Sequence, residues 1–428
     1  MRGQRAVTAQ QSAPARLVRQ LGMFDAVMIG LGAMLGAGIF AALGPAASAA
    51  GAGLLIGLAV AAVVAYCNAT SSARLAARYP DSGGTYVYGR RRLGEFWGYL
   101  AGWGFVVGKT ASCAAIALTV GAYVWPAHPH LIAVAAVVVL TAVNYVGVQK
   151  SAWLTRLIVS VVLLVLAVLV MVCLTAPAAD LGRLSLTSDG TMTVGGVLQA
   201  AALLFFAFAG YARIATLGEE VRDPERVIPR AIPLALGIAL VVYVAVAVAA
   251  LAVADGQLAT SVAPLVEAVR AAGRSGLAPL VTIGAAVAAL GSLLALILGV
   301  SRTTLAMARD GHLPRALAAV HPRFHVPHRA EIAVGLVVAA VSAVADLRSA
   351  IGFSSFAVLV YYAVANASAA TLTAAEGRPP RVIPVVGLLG CLVLAFAVPF
   401  TSVLAGAAVL AVGAALYGIR RPARRTRA

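Results

Sequence analysis

Backbone amides and carbonyls have the clearest potential chemistry in this sequence, because glycines interrupt its first long apolar stretch. That stretch reads Gly30-Leu31-Gly32-Ala33-Met34-Leu35-Gly36-Ala37-Gly38-Ile39-Phe40. Glycine is a poor helix former, and a broken helix inside a bilayer is tolerated only where it lines a cavity or is buried in protein. One interpretation is a discontinuous helix whose second half starts near Gly36-Ala37-Gly38 and points its amides at an anion. The other is close helix packing through small residues.

A second stretch combines aromatic residues, a glycine and an arginine. It reads Phe205-Phe206-Ala207-Phe208-Ala209-Gly210-Tyr211-Ala212-Arg213, and Glu219 and Glu220 follow. A charge inside an apolar segment is costly and usually functional. Arg213 therefore either recognises an acidic substrate or pairs with Glu219 or Glu220. We expect the two glutamates to belong to a gate or a structural charge network.

Lys109 is the second basic residue that falls inside an apolar segment. Two roles are open for it. It could tether its helix to a backbone carbonyl or to a broken helix. Alternatively, its partly desolvated ammonium could supply a proton-linked coupling charge.

The composition defines the class of protein. The chain has 428 residues, of which 62% are hydrophobic and 11% charged, whereas soluble domains carry about 25% charged residues. It is therefore a polytopic membrane protein. Its four cysteines fall in apolar runs and indicate neither disulfides nor a zinc site, so no metal or cofactor is predicted. Of the basic residues, Lys109 and Arg213 are the two assigned to the membrane interior rather than to either side, too few for a membrane-embedded enzyme.

Twelve spans satisfy the length criterion of about 20 residues. They lie near 24–44, 53–73, 96–124, 130–148, 154–177, 194–217, 231–254, 278–306, 330–345, 351–371, 382–399 and 401–419. With the N-terminus inside, 26 of the 32 Lys and Arg residues lie on the inner side and four on the outer side. This asymmetry predicts that both termini are cytoplasmic. It also explains the net charge of +17 without a nucleic-acid partner.

The interruptions fall in spans 1 and 6, which are corresponding positions if spans 1–5 and 6–10 are repeats. Because five is odd, the second copy would be inverted. Paired interruptions in inverted halves point to a transport site near the membrane midplane. The predicted organisation is a tail over 1–22, repeats over 23–177 and 194–371, helices 11 and 12 over 382–419, and a basic tail over 420–428.

The sequence resembles the amino acid–polyamine–organocation transporter superfamily over spans 1 to 10. The resemblance is carried by five motifs in the family's order: Gly30 through Phe40, Pro80-Asp81-Ser82-Gly83-Gly84-Thr85-Tyr86-Val87-Tyr88 leading to Gly102-Trp103, Gly147-Val148-Gln149-Lys150-Ser151-Ala152, Glu219 through Pro229, and Ser301-Arg302 through Pro314. It looks like a bacterial amino acid permease. The resemblance implies an all-α membrane protein with the LeuT-type 5+5 inverted repeat, discontinuous helices 1 and 6, and two further helices.

The resemblance also implies a substrate site between helices 1 and 6. The amides of Gly36, Ala37 and Gly38 would hold a carboxylate. Carbonyls of Met34, Leu35, Phe206, Ala207 and Ala209 near Gly210 would accept from an ammonium, with Phe206 as an aromatic lid. Some family members couple transport through a lysine in helix 5, but the matching position here is Val162, and Ala212 replaces an acidic residue that members often carry. A basic substrate is therefore disfavoured, whereas neutral and acidic ones stay open.

These features predict a secondary active transporter in the cytoplasmic membrane that moves an amino acid by alternating access, coupled to protons or to exchange. Its partners would be a small amino acid and membrane lipid, and the oligomeric state stays open. An amine or polyamine transporter of the same fold, or a non-transporting amino acid sensor, is the alternative.

Overall fold

The fold consists of helices packed side by side, because backbone groups without water must bond within their own segment. The computed structural model describes residues 21–79, 83–147, 152–185, 192–215, 221–324 and 326–425. Those residues form no strand, and a single bridge pairs Leu21 with Val221. Nine of their helical stretches are long and apolar enough to cross a bilayer, and Pro129–Tyr145 and Val382–Ala397 are shorter apolar helices.

The first apolar stretch is divided, as its glycines predict. Helix α1 (Met23–Met34) is separated from α2 (Ala37–Ala41) by Leu35 and Gly36, which are not helical. Helix α3 (Leu43–Ala50) continues the segment. The helices that follow are α4 (Leu54–Arg78), α5 (Thr85–Arg92), α6 (Glu95–Val124), α7 (Pro129–Tyr145) and α8 (Ala152–Leu174).

The second interruption is also present. Helix α9 (Val194–Phe208) gives way to a 3₁₀ turn over Ala209–Tyr211 and then to α10 (Ala212–Ala215). The remaining helices are α11 (Pro224–Thr260), α12 (Pro264–Ala271), α13 (Ala278–Arg309), α14 (His328–Val344), α15 (Leu347–Ala370), α16 (Val382–Ala397) and α17 (Phe400–Arg425).

Some predicted boundaries differ from the observed ones. The apolar criterion places span 7 at 231–254, whereas α11 runs from Pro224 to Thr260 and contains Pro229 and Pro233. A polar helix end extends beyond the apolar run, so hydropathy underestimates helix length there. In the sequence, a Pro/Gly turn is followed by a basic, aromatic stretch through Arg92, which favours an amphipathic interfacial helix. The stretch forms α5, but Tyr86 and Tyr88 are buried against α6, α15 and their neighbours and do not face lipid.

The interrupted segments lie at the centre of the bundle. Helix α1 packs against α8 and α11, and both α2 and α3 pack against α9. Most of the buried apolar residues of α1 and α9 belong to one large apolar cluster, to which α2 contributes Ile39 and Phe40. The two chain breaks are therefore surrounded by protein, the setting in which lost helical hydrogen bonds can be replaced.

Candidate functional site

The first break exposes backbone groups inside the protein. Leu35 donates its last helical bond to Leu31 (2.7 Å), and Gly36 precedes α2 without a side-chain cap. The first amides of a helix have no intrahelical acceptor. At most 2% of the surface of Met34, Leu35 and Ala37 is exposed, and Gly36 and Gly38 are buried as well. These five predicted residues therefore form one continuous, enclosed segment.

The second break lies against the first. Phe206, Ala207, Ala209 and Gly210 occupy the end of α9 and the 3₁₀ turn. Ala207 and Ala209 are buried, while Phe206 is half-buried and packs against two apolar clusters, one of which includes residues of α6 and α13. The structure thus brings the predicted groups of both segments together.

Glycine is required where the two segments touch. A Cβ on Gly38 would lie 2.5 Å from Cα of Ala207, and one on Gly210 would lie 2.3 Å from the carbonyl oxygen of Ala33. Both neighbours are backbone atoms, which cannot rotate away. Any side chain at these positions would separate the two breaks.

Tyr243 on α11 bridges the breaks and was not predicted. Its buried hydroxyl lies 2.6 Å from the carbonyl oxygen of Met34 and 3.0 Å from that of Ala207. A phenol at this depth needs a polar partner, and Tyr243 stands in an aliphatic run of α11. That isolation is the signal by which sequence reasoning could have found it.

Lys109 reaches the second break from α6. Its side chain is 6% exposed, and Nζ donates to the carbonyl oxygen of Ala209 at 3.5 Å. Of the two roles open for this residue, the tether to a broken helix has a contact in the structure.

The first interrupted segment is also held by a side chain, because Ser292 of α13 donates to the carbonyl of Gly32 at 3.1 Å. Side chains from α6, α11 and α13 therefore hold the irregular backbone.

The sequence left two roles open for Arg213: recognition of an acidic substrate or pairing with Glu219 or Glu220. Arg213 is half-buried in α10, whereas Glu219 and Glu220 lie outside the described residues. Val162, where some family members carry a lysine, is buried in the core on α8.

A polar cluster joins α5 to the end of α13, away from the breaks. The hydroxyl of Tyr86 donates to Asp310 (2.6 Å) and lies 2.7 Å from Nδ1 of His312, while Arg90 donates to Asp310 at 2.5 Å. Burial and the bond to Asp310 raise the pKa of Tyr86, which keeps its proton available for donation.

The positions of the six histidines between apolar runs predict loop residues that form no metal cluster. The loop prediction is wrong for His130 and His328, which belong to α7 and α14, and His312 is buried at 4% exposure. His325 lies outside the described residues. Hydropathy cannot reveal such burial, because it does not show which loops fold back onto the bundle.

A second charge cluster fixes the loop before α16. Arg92 donates to Glu376, whose other oxygen accepts from the amide of Thr373 at 2.9 Å, and Arg78 lies 3.7 Å away. The bond from Arg92 is the largest influence on Glu376 and, with Thr373, lowers the pKa of that carboxyl to about 2. The carboxylate is therefore ionised at every physiological pH.

An apolar cavity lies apart from this site. Its volume is about 670 Å³, and it is lined by residues of α6, α14, α15 and α17, among them Val106, Val334, Phe353 and Ala405. None of the nine predicted substrate residues lines it.

All four cysteines are buried and free, and no cluster of three or more potential metal ligands occurs in the described part of the chain.

Apolar helices that are interrupted where they meet are typical of membrane transporters. A family model described as amino acid permease matches residues 21–417, so the chain belongs to the amino acid permease family of the amino acid–polyamine–organocation superfamily. The protein is therefore a multi-pass membrane transporter.

Relatives of three kinds are similar to the chain. An uncharacterised transporter of Mycobacterium tuberculosis is 74% identical over 409 residues, covering 95% of this chain and 92% of that protein. The branched-chain amino acid permease BcaP of Bacillus subtilis is 27% identical over 442 residues, covering 96% and 94%. Cationic amino acid transporter 4 of Homo sapiens is 28% identical over 390 residues, covering 85% of this chain and 61% of that protein.

Proposed function

We propose that this protein is a secondary active transporter that moves an amino acid across the cytoplasmic membrane by alternating access. The observation that carries the proposal is the convergence of the Met34 and Ala207 carbonyls on the Tyr243 hydroxyl, beside the uncapped start of α2. Carbonyl oxygens attract an ammonium, and helix amides attract a carboxylate. An amino acid backbone carries both groups.

The proposed substrate residues are those predicted from the two breaks. Gly36, Ala37 and Gly38 offer amides to the carboxylate. Met34, Leu35, Ala207 and Ala209 offer carbonyls to the ammonium, and Phe206 covers the site beside Gly210. Lys109 maintains the second break through its bond to Ala209, and Arg213, Glu219 and Glu220 are proposed gating residues.

We propose an amino acid with an uncharged, apolar side chain as the substrate. Ala37 belongs to an apolar cluster that includes Ile116 of α6 and Leu293 of α13, and Phe206 packs against the same cluster. The stretches 27–50 and 194–215 contain no Asp or Glu that could hold a cationic side chain. The named substrate class of BcaP agrees with this preference, whereas that of the human cationic transporter does not.

The membrane arrangement is proposed from the charge distribution and from the positions of the breaks. Twelve spans would comprise inverted repeats over 23–177 and 194–371, with α16 and α17 following over 382–419. The 26-to-4 asymmetry of basic residues favours cytoplasmic tails over 1–22 and 420–428. Transport would be coupled to protons or to exchange.

Uptake into proteoliposomes tests the proposal. Radiolabelled branched-chain amino acids should accumulate, and competition by the twenty amino acids should be strongest for leucine, isoleucine and valine. Lysine, arginine and polyamines should compete weakly. Strong competition by these cations would overturn the substrate class, and specific binding without uptake would favour a sensor.

A further inference from the structure

Glu331 is a buried carboxyl group that the proposed transport site does not use. It lies in the first turn of α14 and has 0% exposure. Neither of its oxygens has a hydrogen-bond partner in the described part of the molecule. An ionised carboxylate in such a place is strongly unfavourable unless it is paired, and intramembrane acids usually serve a function.

The position of Glu331 follows from the antiparallel contact between α7 and α14. At one end, the rings of Tyr145 and His328 lie 6.2 Å apart, and at the other, His130 contacts the carbonyl of Ser342 at 2.9 Å. One turn beyond Glu331, a Cβ on Gly335 would lie 2.6 Å from Oγ1 of Thr141. Glu331 therefore lies between this tight contact and the ring pair.

The neighbouring polar atoms are also unpaired. Oγ1 of Thr141 and Nδ1 of His328 are buried without hydrogen-bond partners among the described residues. His328 precedes Glu331 by three positions, so the two side chains share a helix face. The contact between α7 and α14 therefore holds three buried polar groups without hydrogen-bond partners among the described residues, one of them an acid that can exchange a proton.

A second histidine extends this site toward solvent. The rings of His321 and His328 lie 5.3 Å apart, and His321 is half-buried. Nδ1 of His321 accepts from the amides of Arg323 and Phe324, both at 3.2 Å. The backbone thus occupies Nδ1, and Nε2 is the ring nitrogen left for another partner.

The charges that face Glu331 are few. On α13, Arg302 acts on the carboxyl electrostatically but forms no ion pair with it in the described structure. Of the other elements packed against α14, α6 contributes Cys113 and Lys109, whose amine bonds Ala209. The turn before α14 contributes Arg315, which is exposed, and α7 contributes the Tyr145 phenol.

We infer that Glu331 is a protonation site that links cytoplasmic pH to the packing of α14 against α7 and α13, with His321 and His328 as the proton route. The inference rests on the proposed transport function and orientation. Protonated Glu331 is neutral and suits the packed arrangement. Loss of its proton to water leaves an anion, which favours an arrangement in which water or Arg302 reaches it.

Two measurements test the site. The first is exchange of labelled substrate in proteoliposomes at equal pH on both sides, so that no gradient contributes. The wild-type exchange rate should change with pH by up to about tenfold per unit, the limit for one proton. Glu331→Gln, which imitates the protonated acid, should keep the low-pH rate at every pH. Glu225→Gln, at an exposed carboxylate of α11, should behave like wild type.

The second measurement is an infrared pH titration of the full-length protein. The carbonyl band of a buried protonated carboxyl should titrate in wild type and Glu225→Gln and be missing from Glu331→Gln. Persistence of the band, or exchange by Glu331→Gln with the wild-type pH dependence, would overturn the inference. The titration needs no substrate, so an absence of transport with this band intact would count against the proposed function alone.

Discussion

The hydroxyl of Tyr243 lies 2.6 Å from the carbonyl oxygen of Met34, so α11 contacts the first chain break directly. The same hydroxyl is 3.0 Å from the carbonyl of Ala207 at the second break. A phenol has one proton and can satisfy one of these acceptors fully. The remaining acceptor capacity is what the proposed function assigns to a substrate ammonium.

Tyr243→Phe is expected to weaken both the fold and substrate binding. Leaving a buried acceptor without its donor costs about 1–3 kcal/mol, so the melting temperature in detergent should fall and the KM for uptake should rise. Tyr66→Phe is the matched control, because Tyr66 is 45% exposed on α4. An unchanged KM and melting temperature would show that the bridge does not order the site.

Gly38→Ala should abolish uptake, since the new methyl group would lie 2.5 Å from Cα of Ala207 and force the two breaks apart. Gly299→Ala on α13 meets nothing within 4 Å and should transport like wild type, with slightly greater stability because alanine favours the helix. Uptake and melting temperature check both variants. Normal uptake by Gly38→Ala would contradict the close approach.

Substitutions of Lys109 separate a tether from a coupling charge. Gln can still donate to the carbonyl of Ala209, whereas Met cannot. If the contact at 3.5 Å is the main role, Lys109→Gln retains transport within several-fold and Lys109→Met loses most of it. Uptake under an imposed pH gradient provides the measurement. Loss of gradient dependence in both variants, with uptake retained, would instead assign Lys109 a proton-linked charge.

Glu376 is expected to stabilise the fold in a pH-dependent way. Its pKa falls from 4.5 to about 2, chiefly because Arg92 donates to it. A lowered pKa contributes stability that is complete above about 4.5 and is lost as pH falls through about 2. The melting temperature of wild type should therefore exceed that of Glu376→Gln by a constant margin from about pH 5 to pH 8, and the margin should shrink in acid.

The control for this prediction is Glu225→Gln, at an exposed carboxylate on α11. It should show no comparable margin at any pH. A difference between wild type and Glu376→Gln that grows in acid would contradict the sign of the effect.

Much of the architecture was predictable because it depends on local composition. Apolar runs mark membrane helices, and the glycines around Gly36 and Gly210 mark places where a helix loses its bonds. The helical fold, both interruptions and the permease family are confirmed. The assignment of the substrate residues stays a prediction, although the structure brings them together.

Other features arise only from packing. Hydropathy did not identify Tyr243, the burial of His312 or the unpaired carboxyl of Glu331. It also did not show that Tyr86 and Tyr88 of α5 turn inward. Each depends on how a helix is rotated about its axis and on which distant segment it meets.

The amino-acid sequence by itself therefore determined the class of protein, the helical segments and the two points at which they break. Those properties follow from neighbouring residues and their transfer into lipid. Only the tertiary structure decided that Lys109 bonds the carbonyl of Ala209 and that Tyr243 joins both breaks. Contacts between residues separated by 36 to 209 positions depend on helix packing, which no local pattern specifies.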